Sequence, residues 1–417
     1  MTLRRRALWG LLLAKAVAGI GVGWDIRWHI VIGRDSFWIA PHVMTYAGVA
    51  MAAILSLGVL VYETWWARAA MRNADGTGPG GVASHPRPET VDGRWPSRFP
   101  MKGPPARKPP GPVPPAFRIA GLVGTRGYHL AWWGIALTII AAPIDDLWHR
   151  LFGIDVTLWS PPHLLGLAGA QINSLACLLI AREVWPAEGR ARRIALAIGA
   201  VLFFSGFQTG IDPALRTAFI HGGVRFFTYA LLAGLFLTFT LVLSARLAGS
   251  RALPVVVAVA SVALQLVVIA VGDVGLAVLR PQPAVADAMA ADPASPIAIA
   301  HEIARRNGAT PGRGFTVRLF PVLPAIILAL VDPRRRPVAA GLGFGLGVFA
   351  VNGVMFMRSA AFTHVHPDAG DTLVALVGTA GAALAATFAA LAFEARMTGG
   401  EPAARVATTV VPVTPRA

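Results

Sequence analysis

Ten runs of roughly 20 apolar residues, each long enough to cross a lipid bilayer as a helix, dominate this 417-residue chain. In lipid every backbone polar group must be satisfied internally, so runs of this kind fold as helices. They fall at about 7–28, 40–63, 121–148, 163–185, 193–210, 225–246, 252–279, 317–331, 337–357 and 371–394. Hydrophobic residues make up 55% of the chain and charged residues only 14%, against about 25% charged in a soluble domain. That balance excludes a soluble enzyme, a disordered chain and a fibrous one. The net charge of +16 would suggest a nucleic-acid partner in a soluble protein. Here the arginines lie between apolar spans, so the expected partner is the lipid bilayer and no nucleic acid is expected. The single cysteine, Cys177, leaves no intrachain disulfide and no cysteine-built metal site.

Arginine placement sets the expected topology. Arg4, Arg5 and Arg6 precede the first span. Arg190, Arg192 and Arg193 lie between spans four and five, Arg246 and Arg251 between six and seven, and Arg334, Arg335 and Arg336 between eight and nine. All fall on one side if the spans alternate. The expectation is an all-α integral membrane protein of about ten transmembrane helices in five outward-pointing hairpins, with both termini cytoplasmic. Arg4–Arg6, an apolar run and Ala16-Val17-Ala18 mimic a cleavable signal peptide. The segment that follows mirrors the end of span three, which argues for a retained span. Residues 72–116 hold twelve of the 32 prolines. Such a segment cannot bury a core and reads as a disordered cytoplasmic linker, its Lys102, Arg107 and Lys108 facing anionic headgroups. The expected divisions are a first hairpin (1–71), the linker (72–116), a second hairpin (117–190), a six-helix region (191–396) and a flexible tail (397–417).

Two loops on the expected outer side repeat each other. The first runs from Asp25 through Trp28-His29, Gly33, Asp35 and Trp38 to Pro41-His42. The second runs from Asp145-Asp146 through Trp148-His149, Gly153, Asp155 and Trp159 to Pro161-Pro162-His163, with one residue inserted before the second tryptophan. Asp25 and His29 are four residues apart, so they share one face near the end of a helix. Pro41 suits the first turn of the next helix, which places His42 beside them. Two imidazoles and a carboxylate then converge, and Asp145, His149 and His163 repeat the arrangement. Asp146 is the alternative carboxylate of the second copy. Eight of the ten histidines fall on the outer side; only His85 and His129 do not. Titratable groups at membrane depth are expensive and usually functional. A donor set of imidazole and carboxylate without sulfur suits copper, zinc or iron.

At these residues the chain resembles the C subunit of the copper membrane monooxygenases, the particulate methane and ammonia monooxygenases. Asp25, His29 and His42 match that family's Asp-x3-His-x12-His spacing, and Trp28, Arg34 and Asp35 match the flanking pattern. Asp145, His149 and His163 match a second set, Asn-x3-His-x13-His, with Pro161 at the family's proline and aspartate in place of its asparagine. The resemblance covers about 25–42 and 145–163 with the flanking helices, and not the last six spans. It implies copper at both sets, catalysis at Asp25, His29 and His42, and dioxygen activation at the outer face of a bacterial-type plasma membrane to oxidise a small apolar substrate. It also implies quinol or a periplasmic donor as the electron source, and homo-oligomers or hetero-oligomers with membrane or cupredoxin subunits. Iron and zinc stay open as the metal. The competing classes are a copper-binding transporter or assembly factor, and an accessory subunit of a larger oxidase; for Cu(I) transfer, thiolate or methionine ligands would be expected.

Other residues offer further ligands or supports. Asp35, Asp155, His364 and His366 are candidates around the two sets. His301 and Glu302 are candidates for a cover over the site. Asp273 is an intramembrane carboxylate whose expected partner is Arg280 or a helix backbone. Trp24, Trp28, Trp38, Trp148 and Trp159 are expected to form an interfacial belt and an apolar wall. The chain has no GxSxG, Walker or HExxH element.

Overall fold

The computed structural model describes residues 2–33, 36–74, 117–152, 157–313 and 316–398; the side chain of His149 falls outside that description. The chain is all-α with nine helices long and apolar enough to cross a membrane among these residues. In chain order the helices are α1 (Leu3–Ile32), α2 (Ala40–Ala74), α3 (Arg126–Phe152), α4 (Pro161–Val184), α5 (Arg190–Ile211), α6 (Ala214–His221), α7 (Thr228–Leu247), α8 (Leu253–Leu279), α9 (Val285–Ala291), α10 (Pro296–Arg306), α11 (Thr316–Leu319), α12 (Val322–Val331), α13 (Pro337–Met357) and α14 (Ala369–Thr398).

Two sequence expectations change. The eighth run is not one long helix. It breaks at Phe320-Pro321 into α11 and α12, because Pro321 has no N–H to continue the ladder. The whole segment Thr316–Val331 is about 24 Å long at about 1.5 Å per residue, short of a bilayer core of about 30 Å. The third run begins later than expected. Residues Phe117–Ile119 (β1) and Leu122–Gly124 (β2) form an antiparallel hairpin before α3. Its two-residue turn, Ala120 at φ 51° and Gly121 at φ 80°, is the left-handed pair that matches strand twist. The expected linker overlaps the end of α2 by three residues, 72–74; the rest of it, 75–116, and most of the tail lie outside the described residues.

The packing that matters for function is between α1 and α2, between α3 and α4, and of both pairs on each other. Gly48 of α2 lets the first pair close. A Cβ there would sit 2.6 Å from the Ala18 nitrogen and 2.7 Å from the Ala14 oxygen, both backbone atoms of α1. Those atoms cannot swing aside as a side chain would. Gly48→Val is therefore expected to push α1 and α2 apart and destabilise the chain by about 1–3 kcal/mol, the usual cost of overpacking. Thermal unfolding in detergent measures it, and an unchanged midpoint would contradict the close contact. The main core lies among α4, α5 and α7, where Leu178, Phe204, Leu237 and Leu241 are fully buried.

Candidate metal centre

α1 brings Asp25 and His29 to its last turns, and α2 brings His42 to its first. Gly33 ends α1 in the left-handed conformation, φ 74°, and its N–H donates to the His29 oxygen. The chain thus turns at once toward α2. Each of Asp25, His29 and His42 offers one ligand atom, and the three atoms lie within 4.8 Å of one another. All three residues are half-buried. His42 Nε2 stands 3.1 Å from Asp25 Oδ1, and His29 Nδ1 3.4 Å from the same oxygen.

Hydrogen bonding orients the His42 ring. Its Nδ1 lies 3.0 Å from the Ser36 carbonyl. A carbonyl only accepts, so Nδ1 carries the hydrogen and a neutral ring turns the Nε2 lone pair toward Asp25. A lone pair facing a carboxylate oxygen is repulsive unless a cation, proton or metal, lies between. Asp25 Oδ1 is buried and accepts no hydrogen bond from the described residues. A metal ion would satisfy both atoms, and a ring whose other nitrogen is tied to a backbone carbonyl is the usual support of a histidine ligand. The donor set therefore fits a metal.

The second copy reproduces half of this wiring. His163 Nδ1 lies 2.7 Å from the Thr157 carbonyl, again six residues back, and His163 Nε2 lies 3.3 Å from Asp145 Oδ1. Asp145 rather than Asp146 faces the histidine. Asp146 pairs with Arg150 at 2.6 Å, both largely exposed, so the alternative carboxylate is occupied elsewhere. The His149 side chain, Asp155 and Asp35 lie outside the described residues, so only Asp145 and His163 of the second set can be placed.

Among the described residues, His364 and His366 are not grouped with Asp25, His29 and His42. His364 Nδ1 accepts from Arg306 at 3.0 Å and its Nε2 faces the Phe219 oxygen at 3.2 Å. His366 stands edge-on to the Phe226 ring. These contacts seat the loop before α14 against α6, α10 and the Phe226 ring. The aromatic belt splits too. Trp24 and Trp28 are buried, T-shaped to each other, and pack with Ile32, Met44 and Val271 into a wall beside the ligands. Trp38 is 74% exposed.

A cover comes from the segment after α8. The Ala284 N–H donates to the Ile32 oxygen at 2.7 Å, and His301 Nε2 donates to the Ile30 oxygen at 2.8 Å. These bonds satisfy carbonyls that the end of α1 would leave open. Glu302 beside His301 holds Arg305 and Arg306. Those side-chain hydrogen bonds, Arg305 first, bring its carboxyl down to about 2. A depressed carboxyl contributes above its ordinary value and loses that contribution as pH falls through about 2. Amide protection of α10, corrected for intrinsic exchange, should stay level from about pH 8 to about pH 5 and then fall progressively toward about pH 2. Protection that stays level through the ordinary glutamate value would show that these bonds do not hold in solution.

Sequence reasoning missed what anchors this end of α1. Arg27, two residues from both Asp25 and His29, is buried and turns the other way, toward α8. It donates to the Ile269 oxygen at 2.9 Å and to Asp273, which also takes Arg313 at 3.1 Å. Arg27 and Arg313, not Arg280, are thus the partners of Asp273. An arginine within an apolar span was the available signal. Comparison with family models, with curated proteins and with solved structures finds no match to this chain.

Proposed function

We propose that Asp25, His29 and His42 hold a copper ion, and that the chain uses dioxygen there to oxidise a small apolar molecule arriving through lipid at the extracytoplasmic face of a plasma membrane. The observation that carries this reading is the convergence of Asp25, His29 and His42, whose ligand atoms lie within 4.8 Å of one another, with His42 Nε2 3.1 Å from the buried Asp25 Oδ1. The donor set suits copper, zinc or iron, and the spacing shared with the copper membrane monooxygenases favours copper among them. Asp145, His149 and His163 are proposed as the second copper set. When bound, copper supplies one-electron chemistry toward dioxygen, with electrons from quinol or a periplasmic donor.

The chain's own residues would do the rest. Asp25 lowers the charge of the site by one, which matters where charge is poorly solvated. Ser36 holds the His42 ring in one orientation through its carbonyl. Trp24 and Trp28 keep water from one side of the site. The cover over Ile30 and Ile32 holds the helix end still while the ligands act.

The test is elemental analysis and oxygen uptake on the full chain in lipid nanodiscs. One to two copper ions per chain are expected, with quinol-driven oxygen consumption that stops on chelation and returns with copper. Zinc alone, or no metal after growth in copper, would overturn the reading. Copper bound without turnover would assign the chain to copper handling or to an accessory role in a larger oxidase.

A further inference from the structure

The two motif copies share their internal wiring but differ in the aromatic residues beside it. His42 is the last histidine of the first copy, and Tyr46 stands one turn further along the same face of α2. Their ring centroids are 5.8 Å apart. The Tyr46 ring packs on Phe37 at 5.0 Å, and Phe37 packs on Trp38 at 4.9 Å. Aromatic pairs in contact have centroids about 4.5–7 Å apart, so each step is a direct contact. Trp38 ends the series at the surface, 74% exposed. An unbroken run of rings thus leads from a proposed ligand to the outside of the chain.

The run is not a by-product of the repeat. Trp38 and Trp159 each stand four residues before the last histidine of their copy, but Leu158 and Leu167 occupy the positions of Phe37 and Tyr46. Trp159 is partly buried, and its Nε1 donates to the Gly210 oxygen at 2.8 Å. Indole and phenol rings give up a single electron more readily than aliphatic side chains or imidazole. Electron transfer also falls off steeply with distance, so rings in contact make a short route. A site that reacts with dioxygen holds a surplus oxidising equivalent whenever no substrate is bound. The ligand rings of His29 and His42 are then the groups nearest to damage.

We propose that Tyr46, Phe37 and Trp38 drain such an oxidising equivalent from the first set to the surface, where a one-electron reductant such as ascorbate meets it. This rests on the reading of Asp25, His29 and His42 as a copper site that uses dioxygen. Trp38 gives up one electron, which crosses Phe37 and Tyr46 to the oxygen-derived oxidant and reduces it. The indole N–H proton passes to water at the exposed ring. The reductant then returns one electron, water returns one proton, and Trp38 is restored. The net change is one electron moved from the reductant to the oxidant.

The test is peptide mass spectrometry of the copper-loaded full chain in nanodiscs. The chain is exposed to hydrogen peroxide without substrate, in the presence of the radical trap 2-methyl-2-nitrosopropane. The trap bonds to carbon radicals, so its added mass marks the residue that lost an electron. Trp65 and Trp66, 58% and 54% exposed near the other end of α2, are the controls. Trp38 is expected to carry at least about ten times the adduct of either. A diffusing oxidant would also favour Trp38 by nearness, so the variants decide. Phe37→Leu and Tyr46→Leu, which copy the second motif, should each keep the metal and cut the Trp38 adduct by at least about tenfold. An undiminished adduct in either metal-bearing variant would overturn the relay. Loss of metal from both variants would assign these rings to holding the site, and overturns it as well. A wild-type chain that binds no copper would fail the proposed function and take this inference with it. Copper bound and oxygen consumed, with no preference for Trp38, overturns the relay alone.

Discussion

A His42→Ala chain is expected to lose the metal of the first site, and so to purify with no more than about half of the wild-type metal if both sets are filled. Loss of a supporting residue beyond the ligands already costs about 10–100-fold in metal affinity, and His42 supplies a ligand atom itself. The ring is also the only one of the three donors contributed by α2. Without it, Asp25 and His29 remain on one helix face and the set no longer closes across the hairpin. Asp25→Ala should weaken the same site, because it removes the oxygen on which both imidazoles converge. Asp145→Asn should be tolerated, since asparagine keeps an oxygen at the same reach toward His163. Metal per chain, measured after equilibrium dialysis against a weak chelator, separates the three. Full metal in His42→Ala would remove the first site. Metal lost in Asp145→Asn but kept in Asp25→Ala would overturn the residue-by-residue match to the copper monooxygenase pattern.

The second large effect is on stability. Asp273→Ala is expected to destabilise the chain by about 2–3 kcal/mol. Breaking a buried ion pair by removing one partner costs about 3–5 kcal/mol, since a buried charge is left uncompensated. The Arg27 side chain is 8% exposed, but that of Asp273 is 40% exposed, and partial screening lowers the figure. Arg313, with its side chain 51% exposed, contributes far less, so Arg313→Ala should cost under about 1 kcal/mol. Thermal unfolding of both variants in one lipid composition measures the difference. Equal shifts would show that Arg27 does not depend on Asp273.

The sequence made some of this legible and hid the rest for a physical reason. Asp25 and His29 meet because a helix repeats its face every three to four residues, and His42 joins them because the intervening loop is short. Both are local rules. Nine of the ten apolar runs became helices long enough to span a bilayer for the same reason. The break in the eighth run was also local, at Pro321, and was outweighed by its apolar neighbours. The β-hairpin 117–124 was hidden because its apolar residues merge with those of α3. The partnership of Arg27 with Asp273 spans 246 positions, and no periodicity reports a contact at that range. The hydrogen bonds from the two histidines to Ser36 and Thr157 end on backbone oxygens, which residue identity does not mark.

The cover over the end of α1 is made of chain that is synthesised last among the parts of this site. His301 lies 271 residues beyond Ile30, whose oxygen it meets. At about 5–20 residues per second, the first motif is complete for on the order of ten to fifty seconds before its cover exists. During that interval Asp25, His29 and His42 can meet an ion without any element having to move away. Once this segment docks, Ala284 and His301 tie it to the Ile32 and Ile30 oxygens at the end of the helix that carries Asp25 and His29. The order of synthesis thus favours filling the site as the chain is made, and a chain completed without metal should load more slowly than one made in its presence.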